Sequence, residues 1–369
     1  MNEVEKKKAI VKILSKLPDK ELERIFTEIK QNIGVDSRVS NTAFFTMDDA
    51  VRQKYNLYKL SNDLEQKKWV DTLKQIPKSV CIPNRDIKLA VEQAKKVWGK
   101  DICGNEQIRD RLILHLVEYI KTHKTTPVLF VGEPGCGKTY MAETYMKLMG
   151  LNTYLCNCPQ ETTHGHSLYG ESQGYKEAGE GILIKAAIKT KTANPGIIFN
   201  EIDKIIVSSL QPNMHNDLLS LLDETSYKLV DNYCCIEYNA SQYVIAFTAN
   251  NINDISQPLL DRCEIIYVNE PDAEQIIDII LTKLLPSLML KYNISVGLDT
   301  DMIRNYIIDQ YAMGNHSVRM FQTCLKHAMS NAYLRYMTKD EKKFEITRHD
   351  MDLVMQSSER KNKKIGFGR

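Results

Sequence analysis

Nine consecutive residues hold the densest chemistry in the chain. Gly132-Glu133-Pro134-Gly135-Cys136-Gly137-Lys138-Thr139-Tyr140 directly follow the apolar run Val128–Val131 and precede a helical pattern. The spacing matches G-x-x-x-x-G-K-T in the strand-to-helix setting where that string cradles phosphate. Gly135 and Gly137 let the backbone turn without side-chain clashes, so successive N–H groups converge as an anion nest. The start of the helix adds partial positive charge beneath the phosphates. Lys138 is then expected to reach the β- and γ-phosphates of ATP and the Thr139 hydroxyl to ligate magnesium, with all nine residues lining the nucleotide.

A second apolar run, Gly196–Phe199, ends in Asn200-Glu201-Ile202-Asp203. Glu201 stands where a carboxylate orients an attacking water. Asn200 stands where such sites usually place an aspartate. Its neutral amide can meet magnesium through a bound water, at the loss of a full charge near the cation. A third run, YVIAFTANN, ends at Asn250, an amide that could position the lytic water or serve as an ordinary turn residue. Pro258-Leu-Leu-Asp261-Arg262 follows; Arg262 could complete a neighbour's site or pair locally with Asp261 or Glu264.

These residues need a scaffold. Short apolar runs at Val128–Val131, Thr153–Cys156, Gly196–Phe199 and Tyr243–Thr248 alternate with helical patterns at Glu106–Thr122, Ile182–Lys191 and Met214–Leu222. Such alternation predicts an α/β layer with a mainly parallel sheet. From Glu270 onward the pattern turns helical (Ala273–Tyr292, Thr300–Tyr311, His316–Met337, His349–Met355), with small strand-like pieces at Ile294–Val296 and Phe344–Ile346. Near the start, two helical stretches flank Leu17-Pro18 and read as a hairpin ending at Gly34. Val35–Asn62 reads as a polar connector, and Leu64–Ile76 and Arg85–Trp98 as helices. The expected organisation is an N-terminal helical hairpin with connector (1–62), an α/β core with its helical lead-in (63–269), a helical lid (270–356) and a basic tail (357–369).

Composition excludes several classes. The 369 residues are 43% apolar and 26% charged, as in ordinary soluble proteins rather than collagenous or disordered chains. Forty-nine basic against 47 acidic side chains leave a net charge of +2, no electrostatic reason to expect a DNA-coating protein. No apolar run approaches the roughly 20 residues that span a bilayer. The charged N-terminus has no signal-peptide core, and nine scattered cysteines fit free thiols. The expected setting is cytoplasmic. Cys156, Cys158, His164 and His166 lie within eleven residues, but their spacing departs from the usual zinc hooks; buried thiols and loop histidines are the favoured reading. Cys234-Cys235 reads as strand packing. Cys136, inside the phosphate loop, is a thiol whose modification could block nucleotide binding.

From about Leu64 to Phe367 the chain resembles the ATPase module of the Lon protease family, within the AAA+ superfamily. The strings KKWVDTLKQIP, DICGNEQIRDRLILHLVEY, VLFVGEPGCGKT, NPGIIFNEIDK, NDLLSLLDE, AFTANN, PLLDRCEII and HSVRMFQTCLKHA carry the resemblance, in family order. It implies a P-loop AAA+ core followed by a small helical lid, assembled as a ring, usually hexameric, with ATP and magnesium between subunits. By position, Asn250 resembles the sensor-1 residue, Arg262 the arginine finger acting on the adjacent subunit, and Arg319 the sensor-2 arginine of the lid. An arginine arriving in trans stabilises transition-state charge only in the assembly. The family grips polypeptide with an aromatic pore loop. Tyr175 is the first choice for that position and Tyr169 the second, with Lys176 and Glu177 replacing the apolar and small residues expected beside it.

Two departures stand out. The magnesium-side aspartate is Asn200, and the chain stops at Arg369, where the peptidase domain with its Ser–Lys dyad would begin. The expected activity is therefore ATP-driven remodelling or unfolding of protein without proteolysis, with a separate partner protein among the candidate partners. Two alternatives stay open: a nucleic-acid-linked ATPase, since Asp261-Arg262-Cys263 is close to the clamp-loader string, or an ATP-binding scaffold that Asn200 makes slow.

Overall fold

The structure is a computed structural model describing residues 45–81, 83, 86–163, 168–174, 178–205, 214–223, 228–293, 299–338 and 344–353. The N-terminal hairpin, His164, His166, Tyr175, Ile294–Val296 and the basic tail lie outside the described residues.

Five parallel strands form the central sheet in the order β3-β4-β7-β2-β8: β3 Thr153–Asn157, β4 Gly196–Asn200, β7 Val244–Ala249, β2 Val128–Val131 and β8 Glu264–Tyr267. The runs of the inner strands β4, β7 and β2 are short and nearly continuous because the middle of the sheet is covered on both faces. Side chains alternate between the faces as the pleat requires. Leu129, Val131, Ile197, Phe199, Ile245 and Phe247 enter one core, where the Phe199 and Phe247 rings stack with centroids 5.6 Å apart. Val128, Phe130, Ile198, Val244, Ala246 and Ile266 enter the other. That second core is closed by the helices Ile87–Asp101, Glu106–Thr122 and Lys138–Leu148 through Trp98, Leu116, Tyr119, Met141 and Tyr145. The expected α/β layer is present. β8 is an addition: its Glu264-Ile-Ile-Tyr267 is only four residues long and carries a charged residue, so the sequence pattern did not separate it from the preceding turn.

A second sheet is antiparallel, β1-β6-β5, built from Phe45–Thr46, Ile236–Asn239 and Lys228–Asp231. It corrects two expectations. The supposed connector contains β1, paired Phe45 to Tyr238, and the helix Asp49–Tyr58, whose first turn is capped by Asp48 (Oδ1 to the Val51 N–H, 2.7 Å). That helix is mostly exposed and buries only Val51 fully, so it carries little periodic apolar signal; Tyr58 meets Trp69 edge-on at 5.5 Å. Cys234-Cys235 is not strand but the turn between β5 and β6. Cys234 is buried, while Cys235 is exposed in a left-handed conformation (φ 55°).

The C-terminal helices Ala273–Ile279, Leu285–Lys291, Thr300–Ala312 and Val318–Thr338 enclose a separate core around Ile276, Ile307, Phe321 and Leu325. The first long helical pattern is interrupted by a π turn, Ile280–Leu284, which ends two residues before Pro286. Proline cannot donate to the carbonyl four residues back and its ring crowds it, so the wider turn relieves the clash. Phe344 and Ile346 are not strand; both side chains are buried in this helical core.

Candidate functional site

The 132–140 string sits at the C-terminal edge of the parallel sheet, where open α/β sheets bind ligands. β2 stops at Val131, and Lys138 opens the next helix. Gly135 (φ 93°) and Gly137 (φ 98°) occupy the left-handed region that a side chain disfavours. Gly132 is required for another reason. A Cβ there would lie 2.3 Å from the Val268 carbonyl oxygen, because Val268 closes β8 directly against the loop with its N–H on the Val131 carbonyl at 2.7 Å.

Lys138 is largely buried, and its ammonium donates to the carbonyls of Gly132 and Glu133, both at 2.8 Å. The positive charge is thus held within the loop. Cys136 is half-buried near the same ammonium; burial pushes its thiol above the ordinary range, offset by attraction to Lys138. Tyr140 is exposed enough to lie beneath two ammonium groups, Lys147 at 5.7 Å and Lys283 of the helical region at 6.0 Å from its ring centroid.

Thr139 and Asn200 come together as the spacing required. The Thr139 hydroxyl donates to Asn200 Oδ1 at 2.8 Å. β7 runs between β4, which carries Asn200, and β2, which leads into the Thr139 helix; its Thr248, overlooked in the sequence, donates to the same Oδ1 at 2.7 Å. Asn200 Nδ2 reaches Asn157 Oδ1 at the end of β3, at 3.3 Å. The oxygens gathered here, from the Thr139 hydroxyl and the Asn200 carboxamide, suit a hard cation such as magnesium, completed by waters and phosphate oxygens. Among the described residues no cluster of three or more His, Cys, Asp or Glu could hold a metal by itself.

Glu201 is left-handed, at φ 58°. For a non-glycine residue that costs about 1–2 kcal/mol, and the Glu201 N–H is anchored on Thr248 Oγ1 at 3.0 Å. Its carboxylate pairs with Lys204 at 2.7 Å across a short 3-10 turn. Asp203, present in the sequence string but given no role there, accepts from the backbone N–H groups of Asn250 (3.1 Å) and Asn251 (3.3 Å). It thereby ties the end of β7 to the turn after β4. The Asn251 side chain caps the next turn through the Asn253 N–H.

The remaining expected residues stand apart within one chain. Arg262 is exposed and donates to the Pro258 carbonyl at 2.9 Å. Arg319 is exposed in the first turn of Val318–Thr338. Two residues before it, Ser317 faces the phosphate loop: a Cβ at Gly135 would lie 2.7 Å from Ser317 Oγ. Tyr169 is half-buried, its hydroxyl donating to the Asp217 carbonyl at 3.0 Å, and burial pushes its pKa well above the ordinary phenol value. The loop around it is held by Asp231, the fully buried last residue of β5, which accepts from Gly181 N–H (2.8 Å) and Cys234 N–H (2.7 Å). Cys156 and Cys158 are both buried.

Thr248 and Asn157 could have been found as polar residues ending strands at the sheet edge. Ser317 could not, because the contact joins two distant segments. Among the described residues, no helix is long and apolar enough to cross a membrane.

Comparison with known proteins agrees with this geometry. Residues 128–270 match the family "ATPase family associated with various cellular activities (AAA)". A Lon protease of Parabacteroides distasonis is 33% identical over 211 residues, covering 56% of this chain and 25% of the relative. Lon protease 2 of Borreliella burgdorferi is 30% identical over 249 residues (64% and 30%). The mitochondrial Lon protease homolog of Candida albicans is 26% identical over 305 residues (79% and 27%). The chain spans about a quarter to a third of the length of these curated relatives.

Proposed function

We propose that this chain, which contains an AAA ATPase domain homologous to the AAA modules of Lon proteases, binds ATP with magnesium at the 132–140 loop and hydrolyses it within a ring of subunits to remodel or unfold protein. The observation that carries the reading is the convergence of Lys138, Thr139 and Asn200 on the C-terminal edge of the parallel sheet.

In this reading the loop N–H groups and Lys138 bind the β- and γ-phosphates. Thr139 and, through water, Asn200 would hold magnesium, whose charge would neutralise phosphate oxygens when bound. Glu201, released from Lys204, takes the proton of the attacking water, and Asn250 orients that water. Arg262 is exposed, which suits the proposed role of a guanidinium offered to a neighbour's γ-phosphate. Arg319 lies two residues from Ser317, which approaches Gly135, and is the residue proposed to sense the nucleotide from the lid. Tyr175 is the residue proposed to grip polypeptide; Tyr169, with its hydroxyl committed to Asp217, is the weaker choice.

The test combines three measurements on the full chain. ATP affinity is measured for wild type and Lys138→Ala, particle size is measured with and without ATP, and hydrolysis is measured with and without an unfolded protein. The reading expects binding lost in Lys138→Ala, ATP-dependent assembly, and stimulation by unfolded polypeptide that disappears in Tyr175→Ala. Unchanged affinity in Lys138→Ala overturns the nucleotide site. Absence of stimulation overturns the protein-remodelling part alone.

A further inference from the structure

We infer that Thr248 is a positioning residue for ATP hydrolysis, acting through Asn200 and Glu201; the inference rests on the nucleotide-hydrolysing reading of this site. Thr248 lies on β7, in register with Phe130 of the strand that launches the phosphate loop. Its side chain emerges on the sheet face covered by the helix Lys138–Leu148, and it is 1% exposed. A hydroxyl so thoroughly removed from water must be satisfied by protein. Both of its partners belong to the candidate site: it donates to Asn200 Oδ1 at 2.7 Å and accepts from the Glu201 N–H at 3.0 Å.

This single oxygen therefore fixes two adjacent residues with different tasks. A carboxamide oxygen has two lone pairs, and at Asn200 these are taken by Thr139 and Thr248. When the Thr139 hydroxyl turns to a cation, Thr248 is the donor that keeps Oδ1 facing the site. An aspartate in this place would be drawn toward magnesium by its charge; a neutral amide has no such pull and depends on a hydrogen bond for its orientation. At Glu201 the same oxygen anchors the amide of a residue held at φ 58°, a conformation that persists only when its surroundings over-determine it. The direction in which the Glu201 carboxylate leaves the strand follows from that backbone angle. Small errors in the placement of a general base are costly to rate but not to binding.

The test compares Thr248→Val, which keeps the shape and deletes the hydroxyl, with Thr248→Ser, which keeps the hydroxyl. Affinity for a fluorescent ATP analogue and the single-turnover hydrolysis rate are measured in each. Thr248→Val is expected to bind within about threefold of wild type and to hydrolyse at least about tenfold more slowly, with Thr248→Ser recovering most of the rate. Thr248→Ala, hydroxyl-free but smaller, gives the same split should the valine variant not fold. Wild-type turnover in a hydroxyl-free variant, or an equal loss in Thr248→Ser, overturns the inference. Hydrogen exchange of the peptide spanning Glu201 reads the anchor without nucleotide: faster exchange in Thr248→Val but not in Thr248→Ser is expected, and unchanged exchange overturns it. A wild-type protein that binds no ATP defeats the proposed function instead, and the exchange result then stands apart from it.

Discussion

Ser317, at the start of the last long helix, faces Gly135 of the phosphate loop so closely that a Cβ on the glycine would sit 2.7 Å from the serine hydroxyl oxygen. The helical region and the α/β core also meet at Asp101 and Gly104. There Lys283, next to the π turn's end, donates to the Asp101 carbonyl, and a Cβ on Gly104 would lie 2.7 Å from Gln275 Nε2. The helical region thus approaches the α/β core at Gly135 and again at Asp101 and Gly104.

Gly135→Ala should weaken ATP binding by at least about tenfold, since it adds left-handed strain of about 1–2 kcal/mol to a direct clash with Ser317. The double variant Gly135→Ala/Ser317→Gly should recover the steric part and not the strain. Equilibrium titration with a fluorescent nucleotide checks both, and full recovery in the double variant would refute the strain component.

Asn200→Asp should lower the magnesium concentration needed for half-maximal nucleotide binding by several-fold, because a charged ligand replaces a neutral one about one water from the cation. Magnesium titration at fixed ATP measures the effect. An unchanged midpoint would mean that Asn200 does not face the metal.

Stability should respond to pH through Asp231. Burial raises its pKa to about 6, against the opposing pull of the Cys234 and Gly181 N–H groups. The folded state therefore holds this proton more tightly than the unfolded chain. Its contribution is fully present in acid and declines as pH rises from about 4 through 6. Urea unfolding of wild type and Asp231→Asn across that window should show the wild-type advantage shrinking with rising pH; a constant difference would contradict the buried placement.

Thiol labelling should separate the cysteines by exposure. Cys235 is exposed, whereas Cys136 is half-buried with its pKa pushed up. Mass-spectrometric mapping at neutral pH should find Cys235 alkylated well before Cys136, with ATP slowing Cys136 further. Loss of ATP binding on prolonged labelling should be absent in Cys136→Ala. Early, ATP-insensitive labelling of Cys136 would count against its place in the loop.

Local chemistry made much of this protein legible from its sequence. The phosphate loop could be read because its glycines, Lys138 and Thr139 are adjacent in the chain, and their φ requirements are properties of single residues. The parallel strands showed because burial on both faces leaves near-continuous apolar runs at Val128–Val131 and Gly196–Phe199. Other features arise only when distant segments meet. Nothing local distinguishes Phe45–Thr46 as a strand until β6 offers it a partner. Thr248 becomes a junction only because the strand order sets β7 between β4 and β2. Ser317 reaches Gly135 only through packing of the helical unit. The amino-acid order specified which residues could bind a triphosphate, whereas the sheet order and the domain packing decided which others would stand beside them, since hydrogen bonds and steric contacts depend on distance in space rather than along the chain.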